Sequence, residues 1–136
     1  MVVTRPKRQG AVRRVAGFTL IELMVVLAVI ALLLSVAVPR YFHSVNLARE
    51  SVLRANLAAT RDALDKYFGD TGSYPDSLEQ LVQSRYLRAL PVDPITESVT
   101  TWSVIAPAQP ERAGAVFDLR SGASGKASDG SNYSDW

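Results

Sequence analysis

From Phe18 to Val38 the chain is apolar at nearly every position, a run of 21 residues in which Glu22 is the one charge. As a helix that run is about 32 Å long, enough to cross the roughly 30 Å hydrocarbon core of a bilayer. Beyond Pro39 the continuous pattern gives way to a stripe. Tyr41, Val45, Ala48, Val52, Ala55, Ala59, Ala63 and Tyr67 recur at steps of three or four, which predicts an amphipathic helix. Arg49, Glu50, Arg54, Arg61, Asp62, Asp65 and Lys66 lie mostly off it. Proline inside a helix removes one hydrogen bond and crowds the preceding turn, so a kink is expected near Pro39. Gly69 and Gly72 end the helix.

The remaining pattern is short and mixed. Pro75 to Val82 predicts a short helix, with Asp76 and Glu79 spaced as a capping pair. Leu87 to Ile95, punctuated by Pro91 and Pro94, predicts a loop. Val99–Ile105 and Ala115–Leu119 have strand character, joined by a proline- and glycine-bearing connection over 106–114. The fold class that follows is α+β. One long N-terminal helix, membrane-embedded in its first half, packs on a small antiparallel sheet with a C-terminal loop. The organisation reads as a basic leader (1–17), an apolar helix (18–38), an amphipathic stem (39–69) and a small head (70–136).

Charge sharpens this picture. Fifteen Lys/Arg against thirteen Asp/Glu give a formal +2, but five of the basic residues (Arg5, Lys7, Arg8, Arg13 and Arg14) stand in residues 1–17 without an acid among them. Residues 18–136 thus hold ten basic and thirteen acidic residues, a net −3. The basicity is a property of the leader, and no nucleic-acid surface is indicated. By the positive-inside rule the leader lies in the cytoplasm and residues from Arg40 onward lie across the membrane. A secretory h-region is usually about 7–15 residues and is followed by a small-residue cleavage site. Ser35-Val36-Ala37 matches such a site poorly, so the apolar segment is expected to stay in the mature protein.

Candidate chemistry is sparse. The only histidine, His43, sits beside the apolar segment and reads as an interfacial polar residue. Asp62 and Asp65 each have a cation next to them and read as a solvated face. No nucleophile–base set, paired-carboxylate cleft or phosphate-cradling loop is evident, so an enzyme is not expected. With no cysteine, disulfides and thiolate metal sites are excluded. A small exported domain then needs another staple, either a metal or its neighbours in an assembly. The segment Arg120 to Trp136 has two readings. Its Ser/Gly content suits a flexible tail. Its oxygen donors, including Asp129 and Asp135, and its terminal Tyr133 and Trp136 suit an anchored loop of the kind that can hold calcium, although the spacing matches no EF-hand.

Glu22 remains the feature in need of a reason. A lone carboxylate on a membrane helix costs roughly 2.5–3.5 kcal/mol on insertion scales. Gly17-Phe18-Thr19-Leu20-Ile21-Glu22 resembles the processing site of type IV prepilins and type II secretion pseudopilins. The resemblance implies cleavage by a membrane prepilin peptidase between Gly17 and Phe18 and methylation of Phe18. Glu22 falls at the family's mature fifth position and Pro39 at its helix-perturbing proline, both assembly positions. Ala63 to Tyr67, Gly72 to Pro75, Leu90 to Pro94 and the Gly-rich end closing on Trp136 resemble the major pseudopilin. In that family calcium holds the C-terminal loop. Carried over, Ser121 offers a carbonyl, Ser124 stands where the family often has an aspartate, and Asp129 is an acidic ligand.

The resemblance implies a structural subunit of the inner membrane, a homo-oligomer in a periplasmic pseudopilus. Its implied partners are minor pseudopilins, the peptidase, and an assembly platform with its ATPase. The Phe18 amine and the Glu22 carboxylate can neutralise each other within one chain or between adjacent chains, rewarding correct register. Two alternatives stand beside this. One is a type IV or minor pilin for adhesion, motility or DNA uptake. The other is a monomeric membrane-anchored periplasmic binding module, which requires an uncut leader and a pocket in the head.

Overall fold

The computed structural model describes Met1, residues 17–109 and residues 113–136. From Val2 to Ala16 the expected leader lies outside the described residues, as do Pro110, Glu111 and Arg112 of the connection between strands. In chain order the elements are α1 (Leu20–Thr71), α2 (Leu78–Gln83), β1 (Ser103–Ile105), β2 (Asp118–Arg120) and a closing 3-10 turn (Tyr133–Asp135). The fold is α+β. Two compact units divide the chain, Met1–Pro39 and Arg40–Trp136.

In the first unit, α1 presents apolar side chains all round. Leu20, Ile21, Leu27, Leu32 and Leu33 are exposed, as they must be on a helix with nothing of its own chain to pack on. An 18-residue window of the helix has a mean hydropathy of 2.9, and by length and composition the helix can cross a membrane. Pro39 stands inside α1, where the helix continues, and the boundary between the two units falls at this proline.

In the second unit the buried stripe of α1 is Glu50, Leu53, Leu57, Thr60, Leu64 and Tyr67, with Ala63 beside it. This corrects the expected alanine-rich stripe. Tyr41, Ala48, Val52, Ala55 and Ala59 are exposed, and only Ala63 and Tyr67 of that set are buried. The two stripes lie roughly a third of a turn apart at 100° per residue. The leucine stripe faces the head because each leucine removes more apolar area from water than an alanine does. Leu78 and Leu81 of α2, Trp102, Val116 and Leu119 close the core over it. Helix α1 stops at Gly72, whose φ of +76° suits the left-handed position after a helix end.

Helix α2 also differs from expectation. It starts at Leu78, so Ser77 is the N-cap, and the side chain that reaches back is Gln80, not Glu79. Gln80 Oε1 accepts from the Asp76 N–H at 2.7 Å, and its Nε2 donates to the Tyr67 hydroxyl at 2.9 Å, joining the helix start to the core. The strands are shorter than their sequence pattern suggests. Ser103 pairs with Arg120, Val104 with Leu119 and Ile105 with Asp118, antiparallel. Side chains hold the rest: the Trp102 indole donates to the Pro91 carbonyl at 2.8 Å, and Arg61 of α1 donates to Asp118 at 2.7 Å and to the Leu119 carbonyl at 3.0 Å. Gly122 passes so close to Thr101 that a Cβ there would sit 1.8 Å from the Thr101 carbonyl oxygen.

Candidate assembly site and the C-terminal loop

At the start of α1, Thr19 is the residue before the helix and Glu22 is its third residue. The Thr19 N–H and hydroxyl both donate to Glu22 Oε2, at 2.9 and 3.0 Å, and the Glu22 N–H donates back to Thr19 Oγ1 at 3.3 Å. This is a reciprocal capping box, which satisfies orphan donors at a helix start. Thr19-x-x-Glu22 was legible in the sequence as a capping signature, and sequence reasoning missed it. Phe18 is 84% exposed and a Cβ on Gly17 would meet nothing within 4 Å, so the bond between them lies open. His43 is exposed, and Lys66 pairs with Asp62 at 2.7 Å on the solvated face expected of it.

The C-terminal segment is an anchored loop, which decides between its two readings. Ala127 and Tyr133 are buried, and backbone bonds run from Ala127 N–H to the Ser131 carbonyl and from Tyr133 N–H to the Gly125 carbonyl. Two residues of α1 grip it. Glu50, only 6% exposed, accepts from the Ser128 N–H at 2.8 Å, the Ser128 hydroxyl at 2.5 Å and the Tyr133 hydroxyl at 3.0 Å. One turn further, Arg54 donates to Asp129 Oδ2 at 2.8 Å and lies 4.0 Å over the Trp136 ring. Burial pushes the Glu50 carboxyl up, but its hydrogen bonds from Ser128 and Tyr133 outweigh that and hold it below the usual glutamate range. Hydrogen bonds from Ser131, with Arg54 beside it, hold Asp129 below the usual aspartate range. Burial and the neighbouring Glu50 push the Tyr133 phenol up.

Comparison with known proteins places this arrangement. Residues 12–38 match the family model described as the prokaryotic N-terminal methylation motif. The chain is 35% identical over 98 residues to type II secretion system core protein G of Pseudomonas aeruginosa, covering 60% of this chain and 69% of the relative. The chain belongs to the core protein G family of type II secretion. The core protein G of Klebsiella pneumoniae is 33% identical over 98 residues, covering 60% of this chain and 70% of the relative. The type IV major pilin protein PilA of Myxococcus xanthus is 34% identical over 65 residues, but the match covers 48% of this chain and 30% of that pilin. No solved structure gives a significant match. In this pseudopilin Gly17, Phe18 and Glu22 fall inside the matched segment, and Pro39 falls one residue beyond it.

Three residues of this core protein G chain were named for a calcium ion: Ser121, Ser124 and Asp129. Calcium takes six to eight oxygens, with carboxylates prominent among them. Of the three, Ser121 is buried and its hydroxyl donates to Asp93 Oδ2, although the atom named for the ion is its carbonyl, and Ser124 is exposed. Asp129, the one carboxylate, has Oδ1 taken by the Ser131 N–H and hydroxyl and Oδ2 by a guanidinium. Among the described residues no group of three or more His, Cys, Asp or Glu is placed to hold a metal. Sequence reasoning missed Glu50, Arg54 and Asp93. Glu50 had a signal: it continues the Leu53–Leu57–Thr60–Leu64 spacing, a charge on an otherwise buried face. Asp93 had none, because its Ser121 partner is 28 residues away.

Proposed function

We propose that this chain is the structural subunit of a type II secretion pseudopilus, polymerising through α1 and performing no catalysis of its own. The observation that carries the reading is the fully exposed apolar surface of α1 in its first unit, headed by the Thr19–Glu22 capping box. Such a surface needs either lipid or other copies of the same helix around it. Before assembly the helix is anchored in the inner membrane, with the leader cytoplasmic and the head periplasmic. A prepilin peptidase removes residues 1–17 and Phe18 is methylated. In the fibre, the Phe18 amine of one copy and the Glu22 carboxylate of another form a pair whose loss in a wrong register is heavily penalised. Minor pseudopilins, a membrane platform and its ATPase are the partners this reading entails, and export of proteins is the work the fibre does.

Capping and charge pairing make different demands on Glu22, and two variants separate them. Glutamine at the third helical position still serves a capping box, whereas alanine does not. Glu22→Gln therefore leaves helix and insertion intact and removes only the charge. The expected result, in the native host, is that both Glu22→Gln and Glu22→Ala insert and are cleaved but yield no sheared filaments by electron microscopy. Normal filaments from Glu22→Gln would refute charge pairing. Intact mass spectrometry of the membrane-extracted protein checks the processing: the expected chain starts at Phe18 and carries one added methyl. Retention of residues 1–17 would reduce the helix to a simple anchor.

A further inference from the structure

We propose that the C-terminal loop is locked to α1 by a Glu50–Arg54 clamp that does the work of a divalent cation, so that the head closes without a metal. A cation in a loop of this kind gathers oxygens and fixes two strands of backbone at once. Here both tasks are done from the helix. Glu50 gathers the Ser128 N–H, the Ser128 hydroxyl and the Tyr133 hydroxyl, tying down both sides of the turn between them. Arg54, at i+4 on the same helix, supplies the positive charge, paired with Asp129 and stacked on Trp136.

The remaining polar groups close around that arrangement. Trp136 Nε1 donates to Ser131 Oγ at 2.7 Å, and the Ser131 hydroxyl donates to Asp129, so the same network runs from the guanidinium to the indole. The Ser121 hydroxyl donates to Asp93, which also accepts from the Ile95 and Thr96 N–H groups. Among the described residues, no buried side-chain nitrogen or oxygen lacks a hydrogen-bond partner, so no orphaned side-chain oxygen aims into the loop. The segment from Arg120 to Trp136 also carries Lys126 and Arg120 against Asp129 and Asp135, a net charge of zero. A loop that concentrates calcium carries an excess of acid.

The test uses the full chain in detergent, digested with trypsin, the cut after exposed Lys126 being followed by mass spectrometry of the released 127–136 peptide. Cleavage tracks the population of the open loop when reclosing is fast. The expected rate is the same in EDTA and in millimolar calcium. Arg54→Ala, at an exposed position, is expected to speed the cut about three- to tenfold in both buffers through loss of the ion pair and the ring contact. Glu50→Gln is expected to speed it about tenfold. Protection of the wild-type chain by calcium would overturn the proposal, and so would unchanged cleavage in both variants. Under a calcium-held loop, Arg54→Ala frees Asp129 for the ion and increases calcium-dependent protection, the opposite sign.

Discussion

Replacing Glu50 by alanine is expected to destabilise the head more than any exposed charge substitution in it. The carboxylate is almost wholly buried and accepts three hydrogen bonds, two from Ser128 and one from Tyr133. A hydrogen bond to a charged group contributes about 1.5–3 kcal/mol, and a buried donor left without a partner costs about 1–3 kcal/mol. The full sum does not apply, because Ser128 is exposed and water can replace its partner. Tyr133 is buried and water cannot reach its hydroxyl as readily. A loss of about 2–4 kcal/mol follows, which for a unit of this size lowers Tm by roughly 10–20 °C. Thermal unfolding of the full chain in detergent, read by fluorescence of Trp102 and Trp136, measures it. The pH dependence has a fixed sign. Glu50 is held below its ordinary value of 4.5, so its contribution is fully present above that value and is lost as pH falls through the lower folded one. The wild-type head should loosen in acid below about pH 4.5, whereas Glu50→Gln should show a shallower dependence over the same range. A Glu50→Ala chain that melts within about 2 °C of wild type would refute this account of Glu50, since that shift corresponds to only a few tenths of a kcal/mol.

Leu57→Ala removes a side chain at the centre of the stripe on α1 and should cost about 2–5 kcal/mol, seen as a lower urea midpoint with an unchanged slope. Gly122→Ala places a methyl 1.8 Å from the Thr101 carbonyl oxygen, which is backbone and has no rotamer to escape into. It should destabilise the head by at least about 2 kcal/mol and speed amide exchange at β1 and β2, and a neutral effect would refute the close approach. Trp102→Phe keeps most of the ring but loses the bond to the Pro91 carbonyl, and a drop in stability of about 1–2 kcal/mol is expected in the same assay.

Much of this protein was legible because its largest elements are local. A helix is specified by neighbours three and four residues apart, so the apolar run and its continuation past Pro39 could be read directly. The processing motif could be read for the same reason, since Gly17 to Glu22 is contiguous. Choosing which stripe of the stem is buried required more than spacing. The alanine and leucine stripes are both periodic, and only packing against Trp102, Val116 and Leu119 selects the leucines. The side chain that reaches back from α2 is Gln80, which bonds the Asp76 N–H, and not Glu79, because the helix starts at Leu78. That is a difference in boundary, the level at which local signals are weakest.

The sequence by itself determined the long helix, the apolar half that can enter a membrane, the α+β class and the motif that places the chain among pseudopilins. These depend on short-range periodicity and on a contiguous string of residues. Only the tertiary structure decided how the C-terminal loop is held. Glu50 meets Tyr133 across 83 residues and Arg54 meets Asp129 across 75. Nothing in either segment alone marks the other as its partner. The Ser/Gly composition pointed to a loose tail, and the oxygen donors pointed to a metal. Burial of Tyr133 and the contacts of two charged residues on one face of α1 replaced the loose tail with an anchored loop.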